Sequence, residues 1–366
     1  MPFVPHADWL VPERPARARS LPAPFYTHPG SPSAERHCVF ARSWQLVAQI
    51  GQLADSGDHV VAEIAGIPII VVRGEDGELR ALHNVCRHRA GPLATCNGRG
   101  ARNLVCRYHG WTYHLDGRLR GAPEMSDAED FSVDAVRLPE VNVAQWQGLV
   151  FVALGEAPPF NDVVAGINER LGERRLDKLA FRQHASYEIA CNWKIYVDNF
   201  LEGYHLPIVH PGLNRLLDYR SYVTETHEWH SLQWSPLETA AESGNNFYGD
   251  GDALYYFIYP NTMLNILPGR LQTNRVIPLG VDRCRVDFDY YYPSDGDNVR
   301  HAQDVEFSDE VQHEDIAICE AVQRGMASGS WQTGRLNPKR ETGLLHFHEL
   351  LRRAYRDHGD KTENET

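Results

Sequence analysis

An α+β protein in two parts is what the order of residues predicts, and three observations carry that expectation. From Phe40 to about Leu154, short runs of β-branched and aromatic residues are broken by tight turns, as in IPIIVVRGEDGELRALHNV and WTYHLDGRLRG. Asp76-Gly77 and Asp116-Gly117 sit between such runs. Both residue types tolerate the positive φ of a two-residue type I′ hairpin turn, so this half reads as all-β. Pro158-Pro159 then interrupt the pattern and acidic, amphipathic segments follow, which places a boundary near 154. Three regions result: an N-terminal arm over 1–39 that packs on the later part, a β domain over 40–154, and a mixed domain over 155–366.

In the mixed domain the spacing predicts helices near 189–206 and 308–327, strands in YYFIYPNTMLNILP and CRVDFDYYYP, and a final amphipathic helix from Thr342 to His358. Ser308 before Asp309 and Glu310 reads as a helix start, with acids where the N-terminal dipole favours them. The expected form is a sheet packed on long helices. The proline-broken N-terminus reads as an extended arm, and the charged tail DHGDKTENET as frayed.

Composition narrows the function. A chain of 366 residues, 42% hydrophobic, is long enough for one large core or two moderate ones. Its net charge of −13 and the lack of a long basic block argue against a nucleic-acid partner. The longest apolar run, around IPIIVV, falls far short of the ~20 residues that span a bilayer, and the N-terminus carries no signal-peptide pattern. The seven cysteines are odd in number and scattered, and two lie beside histidines as thiolate ligands do. A soluble protein of the reducing cytoplasm is expected.

Those two cysteines open the chemistry. Cys86-x-His88 and Cys106-x-x-His109 are separated by seventeen residues, and each pair follows a predicted strand, which sets it at a loop tip. Chance, a structural Cys₂His₂ zinc and a [2Fe–2S] cluster with two thiolates on one iron and two imidazoles on the other all use such residues. Cys-x-His departs from the usual zinc opening. Gly91 and Gly110 leave room for backbone to approach bridging sulfides, Trp111 and Tyr113 pack against the loops, and Cys96 is a spare thiol.

A second constellation lies in NWKIYVDNFLEGYHLPIVHP. Read as a helix over 192–206, it puts Glu202 and His205 on one face, and Pro207 ends the helix so that His210 can swing back toward His205. Two imidazoles and one carboxylate on a face leave positions open for O₂. The acid is sought in SDEVQHEDIAICEAVQRG, where Asp309 and Glu310 read as a solvated helix face.

Cys86-Arg87-His88 with Cys106-Arg107-Tyr108-His109-Gly110-Trp111 resembles the Rieske signature of ring-hydroxylating and related non-haem iron oxygenases, large-subunit type. The resemblance covers most of the chain and implies a Rieske domain followed by a helix-grip catalytic domain. It implies that Cys86, His88, Cys106 and His109 bind the cluster, and that His205, His210 and Asp315 bind iron(II), Asp315 coming from the late-helix pattern Glu314-Asp315…Glu320…Gln323 with Glu314 and His313 as substitutes. By the same resemblance Glu202 would join His205 to His109 of a neighbouring subunit in a homotrimer, with Asn199 and Tyr204 lining the site. Electrons would come from NAD(P)H through a separate reductase, since no G-x-G-x-x-G opens a helix here. The chain looks closest to choline, betaine and carnitine monooxygenases, which act on quaternary ammonium substrates. Tyr255, Tyr256, Phe257, Tyr259, Trp229 and Trp234 could hold such a cation. An aromatic-ring dihydroxylase or O-demethylase is the alternative within the family, and a bare Rieske electron carrier or a zinc protein the alternative outside it.

Overall fold

The computed structural model describes residues 2–217, 219–237 and 248–364, with side chains through 359. It divides into two compact units, Phe40–Phe160 and a second made of Met1–Val39 with Asn161–Thr366.

The first unit is built on a six-stranded antiparallel sheet in the spatial order Gln45–Gln49, Leu149–Ala153, Glu140–Trp146, Leu79–His83, Ile67–Arg73, His59–Ile64. Its strand Ile67–Arg73 shows why IIVV is a continuous apolar run. Ile70 and Val72 enter one buried cluster with Leu82, while Ile69 and Val71 enter another with Ala81, so both faces are covered. A small sheet of Leu104–Val105, Thr112–Tyr113 and Leu119–Gly121 completes the unit.

The two Asp-Gly turns depart from the expected two-residue form. In both, a five-residue loop closes with the first residue's N–H on the fifth's carbonyl: Gly74 to Glu78 at 2.8 Å and His114 to Arg118 at 2.8 Å. Only the glycine of each pair takes positive φ, +83° at Gly77 and +86° at Gly117. The aspartate instead accepts the backbone N–H two residues on, Glu78 and Arg118. The sequence signal for a hairpin was sound; the turn type needed the geometry.

The second unit carries a seven-stranded antiparallel sheet in the order Ala180–Ile189, Cys284–Tyr292, Arg270–Pro278, Thr262–Leu267, Asp252–Ile258, His230–Pro236, Val223–Thr226. Its register places Tyr255 opposite Asn265, Asn265 opposite Gln272 and Gln272 opposite Tyr290, a row across one face. Two long helices, Asn298–Ala327 and Thr342–Asn364, accompany the sheet.

Three helix expectations are corrected. The late helix starts at Asn298, capped by Asp297 on the Val299 N–H, so Ser308 lies inside it and meets the Tyr290 hydroxyl at 3.0 Å. Its first ten residues escape an apolar-period reading because its inward stripe is polar: Asp304, Ser308, Gln312 and Asp315, each with a partner on the sheet or a neighbouring segment. Asp309, expected on a solvated face, is about half exposed and also accepts the Tyr187 hydroxyl at 2.7 Å. The final helix runs on past His358 to Asn364, so most of the tail is helical backbone, its last two residues lying outside those described. The stretch 192–206 is not one helix: Trp193–Phe200 ends before Glu202, and Leu206–Val209 begins after His205.

The N-terminal arm is also more structured than an extended strap. It forms helical turns at Pro24–Thr27 and Ser31–Cys38. Glu35, 1% exposed, pairs with the fully buried Lys194 and accepts from Trp193 Nε1. Removing one partner of such a buried pair costs about 3–5 kcal/mol, because the other charge is left without compensation.

Candidate metal centres

The Phe40–Phe160 unit holds two loops of one design. The Cys86 N–H donates to the Gly91 carbonyl at 2.9 Å and the Ala90 N–H to the Cys86 carbonyl at 3.0 Å. At the same offsets, Cys106 N–H donates to Trp111 O and Gly110 N–H to Cys106 O, both at 2.9 Å. Ala90 and Gly110, at matching positions, both take left-handed φ, +57° and +75°. Gly110 takes without a Cβ penalty the conformation that Ala90 holds with one, which is a use other than the room expected of it. Gly91 is needed for room: a Cβ there would lie 2.8 Å from Cys106 Sγ.

These loops bury the two thiols, each 3% exposed, and leave His88 and His109 in solvent with their rings 4.6 Å apart. Trp111 stacks on His88 at 4.9 Å with planes 7° apart, and the Tyr113 hydroxyl lies 3.3 Å from Cys86 Sγ while accepting the Arg87 N–H. Both aromatic residues thus touch the ligand set, which their expected packing role did not foresee. Burial and the neighbouring Cys86 push the Cys106 thiol up, so it would be held as thiolate by metal. Among the described residues only His205, His210 and Asp315 bring three ligand atoms within reach of a single ion. The four residues of the twin loops do not converge in that way, and two buried thiols with two exposed imidazoles are the donor set that a two-iron, sulfide-bridged group would take.

In the second unit the ligand atoms of His205, His210 and Asp315 lie within 4.8 Å of one another. His205 precedes the short helix Leu206–Val209 and His210 follows it, so one helical turn, with Pro207 near its start, sets their rings 5.0 Å apart at 75°. His205 Nδ1 donates to Glu202 at 2.6 Å and His210 Nδ1 to Glu314 at 2.6 Å. A carboxylate only accepts, so Nδ1 carries a proton in both rings, and both Nε2 atoms face Asp315 Oδ1, at 4.0 Å from His205 and, within hydrogen-bond distance, 2.9 Å from His210. Asn199 Nδ2 donates to the same oxygen at 2.6 Å. Burial alone would lower the His210 pKa, but Asp315 and Glu314 outweigh it and the group titrates above its ordinary range.

Glu314, expected as a substitute ligand, thus orients one, and His313 is exposed with its Nδ1 on the Asp309 carbonyl. Tyr204 is exposed and does not line the site; its backbone N–H, like that of His205, donates to Glu202. A cavity opens on the three ligands. Of the six aromatic residues expected to cage a cation, only Tyr255 lines it. Phe257 and Tyr259 pack on Phe347, Tyr256 on His230, Trp229 under Arg353 and Trp234 under Arg170. The cavity's aromatic side chains are instead Tyr196, Phe200, Tyr222, Tyr248, Phe288 and Phe307 with Tyr255, set among leucines such as Leu213, Leu217 and Leu267, and they come from separate segments that no local pattern could have gathered.

Paired thiolate–imidazole loops in one unit and a His, His, carboxylate face over a cavity in the other define an iron–sulfur oxygenase. Comparison with known proteins agrees: residues 43–141 match the Rieske [2Fe-2S] domain and residues 176–357 the ring hydroxylating alpha subunit catalytic domain. The chain is 38% identical to choline monooxygenase of Arabidopsis thaliana, over 92% of this chain and 82% of that protein. It is 30% identical to the carnitine monooxygenase oxygenase subunit of Escherichia coli K12, over 96% of this chain and 98% of that one. A solved quaternary ammonium Rieske monooxygenase, described for carnitine oxidation and inter-subunit electron transfer, superposes with a TM-score of 0.87 at 26% identity, covering 97% of this chain and 100% of that one. The chain belongs to the Rieske non-haem iron oxygenases, as the terminal oxygenase component that receives electrons at a [2Fe–2S] cluster and activates O₂ at a mononuclear iron.

Proposed function

We propose that Cys86, His88, Cys106 and His109 hold the cluster, that His205, His210 and Asp315 hold the iron(II), and that the cavity takes a small quaternary ammonium compound for hydroxylation or N-demethylation. The observation that carries this reading is a cavity with aromatic walls opening on the three ligands, in a chain whose near full-length relatives are choline and carnitine monooxygenases. Aromatic faces attract a cation that cannot donate hydrogen bonds. Arg270, the cationic side chain on the wall, lies 2.8 Å from Asp304, so its charge is matched within the protein.

When bound, the ferrous ion supplies open positions where O₂ is reduced with electrons from the cluster. Around it, Glu202 and Glu314 hold the two Nδ1 protons, Asn199 holds the carboxylate, and the aromatic walls keep water from the substrate's methyl groups. A separate NAD(P)H-dependent reductase supplies the electrons. We further propose a homotrimer in which Glu202 links His205 to the next subunit's His109, a reading supported by the inter-subunit transfer described for the structural relative. Seven free cysteines fit a reducing cytoplasm, and no described helix is long and apolar enough to cross a membrane.

Oxygen uptake with a matched reductase tests the substrate. Uptake with choline, betaine or carnitine type compounds, with the oxidised amine detected, is the expected result. Uptake and product with aromatic acids alone would replace this reading with the dihydroxylase or O-demethylase one.

A further inference from the structure

Three cysteines that the proposed reaction does not use meet in the core of the second unit. Cys191, Cys284 and Cys319 are 0%, 0% and 1% exposed, and Cys191 Sγ lies 3.9 Å from Cys284 Sγ. They come from three segments, of which the helix Asn298–Ala327 carries Asp315 and the strand Cys284–Tyr292 carries Phe288 on the cavity wall. Cys191 is in the short link between the strand Ala180–Ile189 and the helix Trp193–Phe200, Cys284 begins the strand Cys284–Tyr292, and Cys319 is one turn beyond Asp315 on its helix. The thiols do not bring ligand atoms within reach of one ion, which sets a metal aside. Tyr196, which lines the cavity, has Cys284 and Cys319 among the neighbours that act on its hydroxyl. The cluster is thus just behind the wall of the chamber where O₂ is reduced.

We propose that Cys191 and Cys284 form a peroxide-consuming disulfide site. Electrons that reach O₂ with no substrate to oxidise leave as hydrogen peroxide, and the oxygenase itself supplies that oxidant. The Cys191 sulfur attacks peroxide: an S–O bond forms, the O–O bond breaks, and the departing hydroxide takes up a proton as water, leaving a sulfenic acid. The Cys284 sulfur, giving up its proton, then attacks Cys191: an S–S bond forms, the S–O bond breaks and a second water leaves. Two thiols and one peroxide become one disulfide and two waters.

Two features suit Cys191 to the first step. The Cys284 and Cys319 thiols lie within hydrogen-bond reach of it and hold its pKa below the ordinary thiol range, although burial opposes them. It also lies two residues beyond Ile189, the last paired residue of its strand, in a link held by side chains (Ala190 N–H on Glu320, Asn192 N–H on Gln323) and not by a β ladder, and that link is what must shift to reach the ~2.05 Å of a disulfide. Closure has a consequence at the iron. Asn192, the next residue, caps the helix through the Lys194 N–H at 3.1 Å, and that helix carries Asn199 to Asp315.

The test uses the holoenzyme exposed to hydrogen peroxide without substrate, then unfolded, alkylated and digested. The expected result is a peptide pair joined through Cys191 and Cys284, about 2 Da below the sum of the reduced peptides, with the cluster's visible absorption unchanged. Turnover should fall about 10-fold or more, as for residues that support metal ligands, and return on adding dithiothreitol. Cys284→Ser, or Cys284→Ala should the first fail to fold, should lose the joined peptide and the reversible part of the inactivation. Recovery of Cys191 and Cys284 as alkylated thiols from inactivated wild-type protein would overturn the proposal, as would loss of the cluster absorption with no joined peptide; both readouts need no variant.

Discussion

The two candidate metal sites are assembled at different ranges along the chain. The thiolate–imidazole site is made by residues 86–111, and each of its loops is fixed by hydrogen bonds spanning four or five residues. The His, His, carboxylate site draws Asp315 to His210 across 105 residues, and Glu314 to the same ring across 104. The first is a local motif that a suitable scaffold presents. The second exists only when helix and sheet are packed, so its ligands rely on partners that hold their tautomer and aim.

That difference can be broken from either side, and the largest effects come from the ligands themselves. His205→Ala or Asp315→Ala should abolish substrate-dependent oxygen uptake while the red-brown cluster absorption persists; loss of colour in both would show that the two sites are not independent. Gly91→Ala is the reciprocal experiment. The added Cβ, 2.8 Å from Cys106 Sγ, should remove the visible absorption and inorganic sulfide while the second unit still binds one iron. Metal and sulfide analysis of the purified variant reads both.

Effects on the supporting partners should be smaller and should fall mainly on the long-range site. Glu314→Gln leaves His210 without its carboxylate and should cost about 10–100-fold in iron affinity or turnover, measured by iron titration and steady-state rates. Glu202→Gln should slow reoxidation of the reduced cluster in stopped-flow absorbance while both metals remain bound. Tyr113→Phe, the mildest, removes a hydrogen bond beside Cys86 and should lower the cluster's reduction potential in a spectroelectrochemical titration, with turnover little changed. An unchanged potential would mean that the Tyr113 hydroxyl serves only the Arg87 N–H.

Legibility in the sequence followed the same division. The twin loops were readable because cysteine, histidine and glycine recur at fixed short offsets, and even the misjudged Gly110 was a position that mattered. His205 and His210 were readable as a pair, although the helix assumed beneath them is absent. The late-helix pattern favours Asp315 with Glu314 as a substitute, but the duty of Glu314 is not legible in it: only the packed helix shows that Asp315 faces the imidazole Nε2 atoms while Glu314 reaches Nδ1. The cation cage went furthest astray. Aromatic residues in one strand looked like a set, yet Tyr255 faces the cavity while Phe257, two positions on, packs against Phe347.

By itself, the order of residues determined the two-part α+β plan, the hairpins and the cluster loops, since each depends on backbone preferences and side-chain periods within a few positions. Tertiary structure alone decided the start of the long helix, whose inward polar stripe finds its partners on the sheet and on neighbouring segments. It also decided the walls of the cavity and the meeting of Cys191, Cys284 and Cys319. Those are contacts between elements distant in the chain, and packing free energy rather than local propensity selects them.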